Sequence, residues 1–137
     1  IFRGQSFTAP TNISIALTSG VPIDSDTGAS IPEMSGLSPT NASTGYSRVN
    51  LGAPAAGKWS HTAEDLAAGS GSIRNSGQIV FNTALTDWGW ISGIAILDDP
   101  SEAEGNVLMH AQLTNPRLIY TGDNVKFDYQ SLEISFK

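Results

Sequence analysis

Residues 52 to 60 read Gly-Ala-Pro-Ala-Ala-Gly-Lys-Trp-Ser, with a glycine, four residues and then a Gly-Lys pair. That spacing is nearly the one with which a phosphate-binding loop holds a nucleotide. The chemistry also needs a Ser or Thr directly after the lysine, to ligate magnesium. Here Trp59 takes that place and Ser60 comes one residue late. The loop must also open a helix whose first amides point at the phosphates. The stretch after Lys58 meets Gly69 and Gly71 within about two turns, and Pro54 removes an amide from the cradle. The segment is therefore expected to be a surface turn joining two strands, with no nucleotide and no other cofactor.

The remaining reactive side chains are few. His61 and His110 are the two histidines. A hydrolytic triad needs one of them beside an activated serine, and no Gly-x-Ser-x-Gly stretch is present. Asp24-Ser25-Asp26-Thr27-Gly28 opens like a calcium loop, but glycine stands at the fifth position, where an oxygen ligand is required. Asp98, Asp99, Glu102 and Glu104 crowd one turn with nothing in the sequence to fix them. The chain has no cysteine, which excludes disulfides, thiolate catalysis and zinc sites of the cysteine type. No catalytic, cofactor or metal site is expected, and the protein is read as non-enzymatic. Of Trp59, Trp88 and Trp90, the second is expected to seal a corner. Trp90 is the candidate for stacking on a sugar ring or for lying at an interface.

Seven Lys and Arg stand against thirteen Asp and Glu, a net charge of −6, and the basic residues are scattered. A nucleic-acid groove needs concentrated positive charge, so that partner is not expected. Neither is an anionic membrane surface. No apolar run is long enough to span a bilayer as a helix.

The elements that must position these residues read as strands. Hydrophobic residues are 39% of the chain and charged residues only 15%, with much Gly, Ser, Thr, Asn and Pro, a profile of short strands and turns. Residues 11–19 alternate, with Ile13, Ile15 and Leu17 on one face and polar Asn12, Ser14 and Ala16 on the other. Residues 46–52 and 76–83 are further strands. Residues 90–99 are apolar on both faces, as for a central strand, with Gly93 marking a bulge or close approach. Residues 105–114 pair back as a hairpin, and 123–129 and 131–136 close the chain. Residues 63–68 are the one helix-like stretch. Roughly seven or eight strands at about ten-residue spacing predict an all-β single domain, an antiparallel β-sandwich of jelly-roll type. Its expected core is Ile13, Ile15, Leu17, Val49, Ile79, Phe81, Ile94, Ile96, Leu108, Val125, Leu132 and Ile134.

One connection breaks the rhythm. Residues 20–45 are long, hold Pro22, Pro32 and Pro39, and scatter Ile23, Ile31, Met34 and Leu37 among polar residues. Loops of that length are usually functional or clamped down. Two readings follow: a loop packed on its own domain, or an arm reaching a neighbouring subunit. On the second, Ile1, Phe2, Ile23, Ile31, Met34 and Leu37 form an interface in a homo-oligomer, with a trimer favoured. The chain opens on Ile1 without a signal-like segment, and a preceding segment is expected.

The stretches FRGQSFTAPTNISIALTSG, GYSRVNLGAP and IVFNTALTDWGWISGIAILDD, then EGNVLMHAQLTNPRLIYTGDNVKF, resemble bacteriophage tail-fibre-like virion proteins. The matching motifs are the Ile13–Leu17 strand, Tyr46-x-Arg48, Asp87-Trp88-Gly89, a strand ending in Asp98, Gly105–Pro116, and Gly122–Phe127. The family's leading Met and short opening helix are missing, and loop 20–45 is longer than the family pattern. The resemblance implies a virion surface protein acting through protein contacts, on a tail fibre or baseplate or as a capsid decoration (cement) protein. A rival class is a carbohydrate-binding module that recognises a host surface glycan.

Overall fold

The structure, a computed structural model, describes residues 8–34, 44–61, 63–67, 69 and 71–135. Its strands are β1 (Ser14–Thr18), β2 (Val49–Asn50), β3 (Trp59–Ser60), β4 (Ile73–Asn75) and β5 (Ile79–Val80). They continue with β6 (Gly89–Leu97), β7 (Val107–Ile119), β8 (Lys126–Phe127) and β9 (Glu133–Ile134), and one short helix is present, α1 (Ala63–Ala67). One sheet runs β2-β1-β6-β7, a second β3-β4-β9, and a third β5-β8. Every pairing is antiparallel. The all-β expectation holds, and so does the hairpin of β6 and β7. Sequence reading did not mark β3 or β4.

The longest strands form where β-branched residues concentrate. In β1 and β6, Ile15 lies opposite Ile96 and Leu17 opposite Ile94. These four point to one face and meet Ile79, Phe81, Tyr46 and Trp88 in the main core. Burying each such aliphatic side chain contributes about 1.5–3 kcal/mol. Ile13, Val49, Val125, Leu132 and Ile134 of the expected core pack around its margin. Tyr46, Trp88, Ile91 and Ile119 join it unpredicted.

Two expectations need correction. Leu108 is 43% exposed rather than core. The β6–β7 register jumps between Ile96, opposite Met109, and Leu97, opposite Val107, leaving Leu108 with no opposite residue. The second concerns the polar face of β1: Ser14, Ala16 and Thr18 are all fully buried. The covering layer is loop 20–34, which brings Ile31 onto Ala16, Ala95 and Leu97 in a second small core. Small side chains make that face shallow enough for backbone to lie close. Gly93 fits this account on both counts, since the register also shifts beside it and an added Cβ would lie 3.0 Å from the Gly20 carbonyl oxygen.

Candidate functional site

The Gly-Lys segment is a surface turn. The Lys58 amide donates to the Ala55 carbonyl at 3.0 Å, and the segment joins β2 to β3 with only the five-residue α1 after it. His61 Nδ1 lies 2.7 Å from the Ser72 carbonyl oxygen, and His110 Nε2 lies 3.3 Å from Asp24 Oδ1. Neither of these contacts is to a serine hydroxyl. Asp26 closes a local turn, accepting from the Ile23 amide at 2.9 Å and the Ser30 hydroxyl at 3.0 Å. Among the described residues no group of three His, Asp or Glu side chains could hold a metal ion.

The most organised polar cluster lies between loop 20–34, β2 and the β6–β7 turn. Arg48 and Glu33 pair in a bidentate fork, Nε to Oε1 and Nη2 to Oε2, each at 2.8 Å. Their side chains are 0% and 6% exposed. The guanidinium also donates to the Asp99 and Glu104 carbonyls at 2.9 Å and to the Gly28 carbonyl at 3.3 Å. Tyr46 donates its hydroxyl to Glu33 at 2.8 Å and accepts the Leu17 amide at 3.1 Å. Burial alone would lower the Arg48 pKa, but the hydrogen bonds and charge of Glu33 reverse that and raise it. Burial pushes the Tyr46 hydroxyl well above the ordinary phenol range, and the Glu33 charge adds to the effect. All donors and acceptors of this cluster look inward. It is a fastener: it holds the loop against β1 and the hairpin turn, with Thr18 bridging to Glu33 and Thr27 to Asn106.

The other motifs noted in the sequence are fasteners as well. Asp87 accepts the amide and hydroxyl of Thr121 at 2.7 and 2.9 Å, which holds its carboxyl below the usual range. Trp88 is buried, donates its indole N–H to the Thr44 carbonyl at 2.8 Å, and sits edge-on to Tyr46. Asp98 accepts the side-chain and backbone N–H groups of Asn106, which lowers its pKa in turn. Gly105 beside it has φ +79°, and an added Cβ would meet Asp98 Oδ1 at 2.6 Å. So the motifs are spent on turns and corners of one scaffold.

The chain is matched over residues 1–135 by the model of a family, Podophage GP4 fiber I protein gp80. The chain belongs to this phage fibre family. No curated protein matches it closely enough to add to that assignment. Membership identifies a virion component and accounts for the resemblance to tail-fibre proteins.

With the motifs used internally, what a fibre protein offers outward must lie elsewhere. Ile31 and Met34, expected at an interface, are 7% and 6% exposed and are buried in the chain's own cores. Within residues 20–34 these two side chains pack on the chain's own cores. Ile23 is 62% exposed, while Ile1, Phe2 and Leu37 lie outside the described residues. Ile23 is not isolated: with Asp24, Asp26, Val107, Leu108, Met109 and His110 it lines a groove of about 410 Å³ at the start of β7, so the apolar side chains there sit beside two carboxylates. Sequence reading missed Leu108 and Met109 as surface residues, because an alternating strand looks the same whether its far edge is covered or open. Trp90 is 59% exposed and stands opposite Leu118 on the β6–β7 ladder.

Proposed function

We propose that this protein is a non-enzymatic structural component of a phage tail fibre, working through protein–protein contacts between its own copies and with other virion proteins. The family match carries the reading. The use of Arg48, Asp87, Trp88 and Asp98 to fasten the chain to itself supports it, as does the exposed apolar group of Ile23, Leu108 and Met109. A fibre family favours a fibre over the capsid-decoration layer. The contact surface is assigned to Ile23 with Leu108 and Met109, and the assembly is a homo-oligomer. Sedimentation velocity over a wide concentration range tests this. The wild-type protein is expected to associate, and Ile23→Asp with Leu108→Asp to remain monomeric at the same concentrations. A wild-type monomer throughout would remove self-association from the account.

One observation favours a second role. The exposed indole of Trp90 lies beside Leu118 on an open sheet face, a platform on which a sugar ring of a host glycan can stack. Glycan-array binding that disappears in Trp90→Ala supports this role, and a blank array for the wild-type protein refutes it.

A further inference from the structure

We propose that the free edge of β7 pairs antiparallel with β7 of a second copy, about a two-fold axis near Ala111. This rests on the reading that copies of the chain contact one another, and it names the surface.

The sheets end on six strands, of which five are two residues long and the sixth, β7, is thirteen. Among the described residues β7 pairs only with β6, so one row of its backbone N–H and C=O groups has no strand partner. Proteins protect long edges with lysines, other charges, proline or bulges. Strand β7 has register breaks at Val107–Met109 and after Gln112, which leave Met109–Gln112 as its regular stretch. Residues 107–115, VLMHAQLTN, contain no Lys, Arg, Asp, Glu or Pro; Pro116 and Arg117 come only after them.

The sandwich is also open along this strand. One groove of about 370 Å³ lies between β7 residues 108–111 and residues 132–135. Another of about 710 Å³ continues it between residues 113–119 and 123–131. Their walls include Ile91, Ile94, Ile96, Val125, Phe127, Leu132 and Ile134, all of the main core or its margin. An added strand would close that core.

The chain carries a net charge of −6, so two copies repel over most of their surface. Residues 107–115 carry no Lys, Arg, Asp or Glu, and Asp24 beside them is taken up by His110 at 3.3 Å, so the strand itself offers little for a partner of different sequence to recognise by charge. Self-pairing there sets no like charges opposite one another. Met109 lies opposite the core residue Ile96 and Ala111 opposite Ile94, and Leu113 packs against the core, so β7 already presents an apolar inner row. With the axis at Ala111, Met109 of one copy meets Leu113 of the other and His110 meets Gln112, with alanine against alanine at the centre. The five residues from Met109 to Leu113 span about 17 Å and form about four to six hydrogen bonds, at the lower end for an ordinary interface. The contact is two-fold, so the three-fold arrangement expected from loop 20–45 would need a different surface.

The absence of cysteine makes a clean test. Single variants Ala111→Cys, Met109→Cys and Leu113→Cys, with exposed Ile23→Cys and Tyr129→Cys as references, are oxidised in the full chain and scored for disulfide-linked dimer. Directly opposed residues place their Cα atoms within disulfide reach, so Ala111→Cys should cross-link at least about tenfold faster than Tyr129→Cys. Met109→Cys and Leu113→Cys should each be slow alone and fast when mixed. As a check free of substitutions, wild-type β7 amides should exchange more slowly as concentration rises. The proposal is overturned if Ala111→Cys is no faster than Tyr129→Cys and the amides are unchanged. Fast cross-linking of Ile23→Cys in that case would keep self-association and move it to the loop. No cross-linking at any position, with a monomer in sedimentation, would remove both.

Discussion

Separating Arg48 from Glu33 should be among the most damaging changes available in this fold. The pair is fully shielded, with side-chain exposures of 0% and 6%, and the guanidinium holds three backbone carbonyls besides the carboxylate. Removing one member leaves the other buried without its counter-charge. Such losses cost about 3–5 kcal/mol, whereas replacing both members with apolar residues of similar volume costs much less. For a domain of this size each kcal/mol shifts the melting temperature by about 3–5 °C, so Glu33→Leu or Arg48→Met alone should lower it by about 10–20 °C. The double variant should lie well above the sum of the two losses. It will still fall short of wild type, because the Gly28, Asp99 and Glu104 carbonyls lose their donor. Urea unfolding of the four proteins at neutral pH gives the coupling energy directly. Single-variant losses below about 1 kcal/mol, or strictly additive losses, would show that the cluster does not fasten the loop to the hairpin.

Ile94→Ala removes a 4% exposed side chain at the centre of the main core and should cost about 2–5 kcal/mol in the same unfolding assay. Gly93→Ala places a methyl against the Thr18 hydroxyl and 3.0 Å from the Gly20 carbonyl oxygen, and should cost about 1–3 kcal/mol although glycine in a strand is normally improved by alanine. The raised Tyr46 pKa means the folded state keeps its phenol proton while the unfolded chain releases one near pH 10. Stability from this group is therefore complete below about pH 10 and falls above it by up to about 1.4 kcal/mol per pH unit. Comparing wild type with Tyr46→Phe between pH 9 and 11 isolates it, since the variant should lose less as pH rises. Millimolar ATP with magnesium should leave the melting temperature unchanged; a shift that vanished in Lys58→Ala would restore the phosphate-loop reading.

How much of this was legible in the sequence depends on which forces left a local pattern. The strands β1 and β6 were each readable, though not their pairing, because alternation and unbroken apolar runs report burial directly, and Gly93 marked a bulge or close approach. The polar face assigned to β1 is buried for a physical reason: Ser14, Ala16 and Thr18 are small enough to be covered by backbone, and smallness reads as polarity in a linear pattern. Leu108 misled similarly, since a one-residue register slip cannot be seen in one strand alone. Tyr46 and Arg48 stood out as a motif, but their partner Glu33 lies in the aperiodic loop, and nothing local ties the two segments. The open edge of β7 is a property of what is missing beside it, which a sequence does not record.

The claim on which everything else depends is that this chain is built into the phage fibre. A reconstruction of the intact particle, with the β2-β1-β6-β7 sheet fitted to density, measures it directly. The account predicts density for this domain in a fibre, with copies meeting along a shared surface that includes β7 or Ile23. Purified, infectious particles that lack the protein, or that carry it only as isolated copies on the capsid shell, would contradict it.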